Sequence, residues 1–135
     1  MNSSGTNSAG QRRRMILVVD DEPFILKYVG QVLRQANYDV TTAANGDQAW
    51  SAIAQKEIHL VLTDLVMPGS IDGLQLADRI HQHNPKIPVL FITGAVAEAD
   101  DRTAELAKNE LLLRKPFFPK QLIDFIDARF KLSNS

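Results

Sequence analysis

Polar or charged groups stand at the ends of four of the five short apolar runs in this sequence. Asp20 and Asp21 follow the first run, Asp64 follows the third, Thr93 ends the fourth, and Lys115 follows the fifth. If these runs are parallel strands, their carboxyl ends meet at one edge of a sheet, which is where ligands bind in open α/β sheets. The runs are MILVV (15–19), DVTTA (39–43), HLVLT (59–63), VLFIT (89–93) and LLLR (111–114).

Three carboxylates beside one lysine restrict the chemistry of that edge. Two like charges about 4 Å apart repel by roughly 4 kcal/mol at an effective dielectric near 20. Asp20, Asp21 and Asp64 therefore need a proton or a cation among them. Oxygen ligands without a nearby His or Cys favour Mg²⁺, which takes further contacts from phosphate oxygens. With Thr93 and Lys115 to contact those oxygens, Asp64 has the surroundings it needs to accept a phosphoryl group.

Segments of helical periodicity separate the apolar runs. Most of the runs are continuously apolar, which is typical of strands covered on both faces. Strand and helix alternating five times predict right-handed crossovers and a parallel sheet with helices on both sides. The predicted helices are Pro23 to Ala36, 46–57, Asp72 to His83, 97–108 and Pro119 to Phe130.

Composition limits the class of protein. The 135 residues suit one domain. With 15 Lys and Arg against 16 Asp and Glu, the formal net charge is −1, which argues against a nucleic-acid binder. The absence of cysteine excludes disulfides and thiolate metal sites. No apolar run approaches the roughly 20 residues that span a bilayer. We expect a soluble cytoplasmic protein without membrane contact, with a disordered tail at 1–13, a folded domain at 14–132 and a short tail at 133–135.

Five blocks of the sequence, in order, carry a resemblance to a known family. They are ILVVDDEP (16–23), LVLTDLVMPG (60–69), IDGLQL (71–76), IPVLFITG (87–94) and LLLRKPF (111–117). Together they resemble the receiver domains of two-component response regulators, over about residues 14 to 131. The resemblance implies a flavodoxin-like doubly wound fold with five parallel strands in the order 2-1-3-4-5.

The resemblance also implies roles for the residues at the strand ends. Asp64 would be the phosphoacceptor, with Thr93 and Lys115 contacting the phosphoryl group and a cis bond between Lys115 and Pro116. Asp21 would bind Mg²⁺ directly, Asp20 would help through water, and the main-chain carbonyl of Val66 would complete the protein's share of the metal ligands. Mn²⁺ is expected to substitute for Mg²⁺.

The partners that the resemblance implies are proteins. A sensor histidine kinase or a histidine phosphotransfer protein would supply the phosphoryl group, and a downstream protein would bind the 97–130 face. The domain would phosphorylate and dephosphorylate itself without turning over a substrate.

Three departures from the usual family pattern concern regions outside the acidic edge. The loop from Met67 to Asp72 is one residue longer than the commonest form. Lys108 and Asn109 stand where Gly-Ala is frequent, so the turn into the fifth strand is expected to be built differently. Leu112 replaces the usual aromatic residue of the activation switch.

Three other functions compete with this hypothesis. A phosphatase of the haloacid dehalogenase type also uses an Asp nucleophile with Mg²⁺, but its nucleophile lies on the first strand. A flavodoxin needs backbone donors for a phosphate after that strand, where this chain has Asp20, Asp21 and Glu22. A degenerate receiver that only binds partners would not need all five active-site residues.

Overall fold

The computed structural model describes residues 13–67, 72–94 and 101–134, in which strands and helices alternate along the chain. The strands are β1 (Met15–Val19), β2 (Asp39–Ala43), β3 (Leu60–Asp64), β4 (Val89–Thr93) and β5 (Leu112–Arg114). The helices are α1 (Pro23–Gln35), α2 (Gly46–Gln55), α3 (Gly73–His83), α4 (Asp101–Lys108) and α5 (Pro119–Asn134).

The strands form one parallel sheet in the order β2-β1-β3-β4-β5, which confirms the predicted fold. The central strands β3 and β4 are buried along their whole length. Their continuously apolar sequences reflect helices packed on both faces.

Each face of the sheet has its own apolar core, because alternate residues of a strand point to opposite sides. Leu17 and Val19 of β1 pack into the core that contains Leu76 of α3. Ile16 and Val18 pack into the other core, with Leu33 of α1 and Ile126 of α5. The β1 strand thus contributes side chains to both cores, and helices pack on both faces of the sheet.

Local sequence signals set the helix ends. Pro23 occupies the first turn of α1, where its missing N–H is not needed. Asp72 and Gln75 form a capping box that starts α3. The helix α2 ends at Gln55, two residues before the predicted end, and α5 continues to Asn134, beyond the predicted end at Phe130.

The turn into β5 is built around a residue with a left-handed backbone. Glu110 has φ of 61°, and the next amide, of Leu111, donates back to the carbonyl of Leu106 in α4. The hydrogen bond from Leu111 to Leu106 ends α4, and the left-handed residue of the turn that follows Lys108 and Asn109 is Glu110. Leu112 then enters the sheet half-buried, opposite Phe91 of β4.

Several predictions concern residues outside the described part of the chain. They are the tail before residue 13, the lengthened loop at 68–71, residues 97–100 of the fourth predicted helix, and Ser135. The predicted tail at 133–135 overlaps the end of α5, whose last residue is Asn134. Within the described ranges, every helix is too short or too polar to cross a membrane.

Candidate functional site

The carboxyl edge of the sheet brings together the side chains predicted for the site. Asp64 and Thr93 are the last residues of β3 and β4. Asp20 follows β1 directly, and Lys115 follows β5. Asp20, Asp64 and Thr93 are buried, and the Lys115 side chain is mostly buried. The edge is therefore a partly closed polar pocket rather than a solvated surface.

Lys115 is the centre of the hydrogen bonding in this pocket. Its Nζ donates to Asp20 Oδ2 at 3.0 Å, to Glu22 Oε1 at 3.3 Å and to Asp64 Oδ2 at 3.4 Å. An ammonium group has three N–H donors, so the three carboxylates use its full donor capacity. The lysine lies closest to Asp20 and only loosely against Asp64.

The three predicted metal-binding carboxylates are close enough to share one ion. Asp20, Asp21 and Asp64 each offer an oxygen, and these oxygens lie within 4.8 Å of one another. Asp20 and Asp64 are buried, whereas Asp21 is exposed. The closeness of the three carboxylates agrees with the expected repulsion, but water screens the charge of the exposed Asp21. Asp20 and Asp64 are the two carboxylates whose negative charges are costly, because both are buried.

Burial and charge shift the pKa values of the buried groups. Burial, together with the charge of Asp20, raises the pKa of Asp64 to about 6, although Lys115 and the Val66 amide oppose the shift. Burial likewise raises the pKa of Asp20 above its ordinary range, against hydrogen bonds from the Glu22 amide and Lys115. Burial acts to lower the pKa of Lys115, but its contacts with Asp20 and Asp64 raise it overall. One lysine thus fails to compensate two buried carboxylates.

Backbone hydrogen bonds hold the acidic side chains in place. The amide of Glu22 donates to Asp20 Oδ1 at 2.9 Å, and the amide of Val66 donates to Asp64 Oδ1 at 3.2 Å. The amide of Lys115 donates to the carbonyl of Thr93 at 2.7 Å. The main chain therefore orients both buried carboxylates and joins the threonine strand to the lysine.

Gly73, the first residue of α3, packs directly on the backbone of Asp64. A Cβ atom built on Gly73 would lie 2.2 Å from the Asp64 carbonyl oxygen and 2.9 Å from Leu65 Cα. Only a glycine allows this approach, since real Cβ contacts are not found below about 3 Å. The amide of Gly73 also donates to the Leu65 carbonyl at 3.2 Å.

The segment after β5 is anchored to α1. The Lys115–Pro116 bond is cis, as the resemblance implied. Tyr28 of α1 donates its hydroxyl hydrogen to the carbonyl of Phe117 at 3.0 Å, and the two rings lie 5.9 Å apart. Tyr28 therefore packs against Phe117 and fixes the chain just beyond the lysine.

Glu22 and Gly73 are the residues that the sequence analysis missed as parts of the site. Both lie in blocks that carried the resemblance, ILVVDDEP and IDGLQL. Glu22 follows the acidic pair directly, and Gly73 follows the capping aspartate. Their position in those blocks was the signal that could have pointed to a role in the site. Sequence spacing alone does not predict the contact of Glu22 with Lys115 or that of Gly73 with Asp64.

Comparison with known proteins agrees with this geometry. The family model described as "Response regulator receiver domain" matches residues 16–127. The chain belongs to the response regulator receiver domain family. It is therefore a signalling domain of two-component systems rather than a turnover enzyme. This membership decides against the phosphatase and flavodoxin hypotheses.

Curated relatives and solved structures support the assignment. The chain is 32% identical over 114 residues to the response regulator receiver protein CpdR of Brucella abortus (strain 2308), covering 84% of this chain and 94% of CpdR. It is 40% identical over 110 residues to the nitrogen assimilation regulatory protein NtrX of Azorhizobium caulinodans, covering 80% of this chain and 24% of NtrX. It spans about half the length of two other relatives, 48% and 46%. The CheY-like receiver domain protein of Methanospirillum hungatei JF-1 superposes with a TM-score of 0.78 at 25% identity, over 90% of this chain and 97% of that one.

Proposed function

We propose that this receiver domain accepts a phosphoryl group on Asp64 from a histidine kinase or a histidine phosphotransfer protein, in a metal-dependent reaction. The observation that carries the proposal is the Asp64 carboxylate at the end of β3, within 4.8 Å of the Asp20 and Asp21 oxygens and 3.4 Å from Lys115 Nζ. No single strand creates this group. It exists because parallel strands bring their carboxyl ends to one edge.

The residues present fit a hard divalent cation. The donor set consists of carboxylate oxygens, without His or Cys, which suits Mg²⁺, and Mn²⁺ accepts similar ligands. The pKa values of Asp20 and Asp64 are raised chiefly by burial, which disfavours their charged forms, and the contacts with Lys115 do not offset this effect. Asp21 and Asp64 would hold the ion, with Asp20 acting through water and the Val66 carbonyl as a further ligand. When bound, the ion would neutralise charge on the transferred phosphoryl group.

The chain's own residues can carry out the transfer. With a pKa of about 6, Asp64 is mostly ionised at neutral pH and can act as the nucleophile. A bond forms between a carboxylate oxygen of Asp64 and phosphorus while the bond from phosphorus to the donor's histidine nitrogen breaks. The electron pair of the broken bond stays on that nitrogen. Lys115 and the Thr93 hydroxyl would stabilise the phosphoryl oxygens, and loss of the group to water would reset the domain.

Exposed apolar side chains around the acidic pocket support a protein as the donor. Phe24, Val66 and Phe118 are 75%, 68% and 76% exposed. Each follows the carboxyl end of a different strand, β1, β3 or β5. Contiguous exposed apolar patches mark protein contacts, and we propose that these three side chains contribute to one such patch. We propose that the donor rests on these three side chains while its histidine reaches Asp64.

The output would pass through the 97–130 face to a downstream protein. A groove of about 510 Å³ lies on this side of the domain, between the β5 edge and α5. It combines apolar side chains such as Leu113 and Phe125 with charged ones such as Asp124. This mixture supports a protein partner over nucleic acid or membrane. A cytoplasmic location remains the expectation from the sequence.

Chemical labelling tests the proposal. The protein would be incubated with acetyl phosphate and Mg²⁺, and the phosphorylated residue located by mass spectrometry. We expect a label on Asp64 in the parent, and none in Asp64→Asn or in the presence of a chelator. A label at another residue of the natively folded Asn variant would refute the assignment of Asp64.

A second experiment tests the donor surface. Phe24→Ala combined with Phe118→Ala should slow labelling by a phosphorylated histidine phosphotransfer protein at least tenfold. The same variant should keep the rate with acetyl phosphate within about twofold of the parent. Leu132→Ala removes an equally exposed apolar side chain at the far end of α5 and serves as the control. Equal slowing with both donors would contradict the docking role.

A further inference from the structure

Glu22 is the one carboxylate in contact with Lys115 that lies outside the candidate metal cluster of the described residues. Its Oε1 is 3.3 Å from Lys115 Nζ, whereas Asp20 and Asp64, the other two acceptors of that ammonium, belong to the cluster. The Glu22 side chain is 57% exposed, while those of Asp20 and Asp64 are nearly buried. The lysine is thus shared between two buried carboxylates and one solvated carboxylate.

Metal binding changes this sharing. Once Asp20 and Asp64 compensate a divalent cation, their oxygens are weaker acceptors for an ammonium group, and the cation itself repels that group. Glu22 keeps its charge and stays within reach of Lys115 Nζ. The lysine would therefore shift towards Glu22 when Asp20 and Asp64 serve the metal.

The contact with Glu22 is also weak enough to be exchanged. Water reaches the Glu22 carboxylate, which is 57% exposed, and the contact of 3.3 Å is longer than the 3.0 Å contact of Lys115 with Asp20. A phosphoryl group offers up to two negative charges and three strong acceptor oxygens. The lysine will leave Glu22 for such a group when it arrives next to Asp64.

We propose that Glu22 is a positioning residue that holds the Lys115 ammonium while Asp20 and Asp64 serve the metal, and that it competes with the incoming phosphoryl group for that lysine. This inference rests on the proposed function of Asp64. It assigns Glu22 no contact with the metal or the phosphoryl group. Its effect on both passes through Lys115.

The proposal predicts that Glu22→Gln binds Mg²⁺ more weakly but is phosphorylated faster at saturating Mg²⁺. Without the Glu22 charge, Lys115 stays with Asp20 and Asp64 and opposes the cation, so the Kd for Mg²⁺ should rise three- to tenfold. At saturating Mg²⁺ the lysine has no competing carboxylate, so the rate of phosphorylation by acetyl phosphate should rise three- to tenfold. In that reaction acetyl phosphate transfers its phosphoryl group to the Asp64 carboxylate and leaves as acetate.

The substitution is suited to this test because it changes little else. Glu22 is the N-cap of α1, but its side chain makes no capping hydrogen bond, so the substitution removes none. The favourable contact of an exposed carboxylate with the helix dipole contributes only a small stabilisation. Glu57→Gln removes an exposed charge just before β3, at the opposite edge of the sheet, and is the matched control. It should leave the Mg²⁺ affinity and the labelling rate within twofold.

The experiment combines calorimetric Mg²⁺ titration with labelling by acetyl phosphate. In a Lys115→Met background, Glu22→Gln should change the Mg²⁺ Kd by less than twofold, because the effect passes through the lysine. Three outcomes would overturn the role of Glu22: no change in either readout, weaker Mg²⁺ binding together with slower labelling, or tighter binding together with faster labelling. An undiminished effect on Kd in the Lys115→Met background would also overturn it. Failure of the parent to be labelled on Asp64 would overturn both this inference and the proposed function. A labelled parent with an indifferent Glu22→Gln variant would overturn the inference alone.

Discussion

Replacement of the proposed phosphoacceptor by its neutral isostere should stabilise the metal-free protein. The pKa of Asp64 rises from 3.8 to about 6, chiefly because the carboxyl group is buried. The folded protein therefore binds this proton more tightly than the unfolded chain, and ionisation of Asp64 destabilises the fold. The destabilisation is absent well below pH 4, develops as the pH rises from about 4 to 6, and is complete above that range.

The size of the effect follows from the shift. About two pKa units correspond to about 3 kcal/mol at pH 7.5, and about 1 kcal/mol of this remains at pH 4.5. Asp64→Asn removes the charge and keeps the shape of the side chain. For a domain of this size, about 3 kcal/mol raises Tm by about 10 °C.

Thermal unfolding in a chelator at pH 7.5 and pH 4.5 measures the prediction. The Asn variant should melt above the parent at pH 7.5, and the gap should fall to about a third at pH 4.5. Added Mg²⁺ should then stabilise the parent far more than the variant. Glu57→Gln, with its exposed charge, should change stability by less than about 0.5 kcal/mol. A variant that melts below the parent at pH 7.5, or a gap that does not depend on pH, would refute the reasoning.

Three further substitutions test other parts of the site. Gly73→Ala should lower the free energy of unfolding by more than about 2 kcal/mol and slow labelling, because its Cβ would lie 2.2 Å from the Asp64 carbonyl oxygen. Gly30→Ala is the matched control, since the closest contact of its Cβ would be the flexible end of the Arg34 side chain. Denaturant unfolding should show no loss of stability for Gly30→Ala. Asp21→Ala should weaken Mg²⁺ binding in calorimetric titration at least tenfold, yet change metal-free stability by less than about 1 kcal/mol, because the side chain is exposed. Val66→Asn should speed the loss of the phosphoryl group up to about tenfold, since an exposed amide two residues after the acceptor can hold the attacking water; decay of the labelled protein no faster than in the parent would count against this.

The strand ends could be predicted from the sequence because their signal is local. Asp64 and Thr93 each end a mostly apolar run, and strands buried on both faces read as such runs. The strand order and the cis bond at Lys115 came from the family resemblance, and the structure confirms both. The third strand begins one residue later than predicted and includes Asp64 as its last residue.

The contacts between distant parts of the chain could not be predicted in the same way. Asp20 and Asp21 are equivalent in the sequence, but one is buried and the other exposed, because β1 ends at Val19 and the chain bends at Asp21. The contact of Glu22 with Lys115 joins residues 93 positions apart. It depends on where an exposed side chain lies, which no periodicity encodes.

The charge of the site explains why the lysine, rather than net charge, can distinguish the states of the domain. Asp20, Asp21, Glu22 and Asp64 against Lys115 leave a formal charge of about −3, and a divalent cation reduces it to about −1. Phosphorylation replaces one carboxylate charge by about two, so the phosphorylated metal-bound site carries about −2. That value lies between the metal-free and the metal-bound states, and a partner that sensed only net charge would confuse them. Under the role proposed for Glu22, the acceptor of Lys115 would differ in each state. The backbone amide of Lys115 donates to the Thr93 carbonyl at the end of β4. On this proposal, the position of the Lys115 ammonium group would be the property of the site that transmits phosphorylation to the rest of the fold.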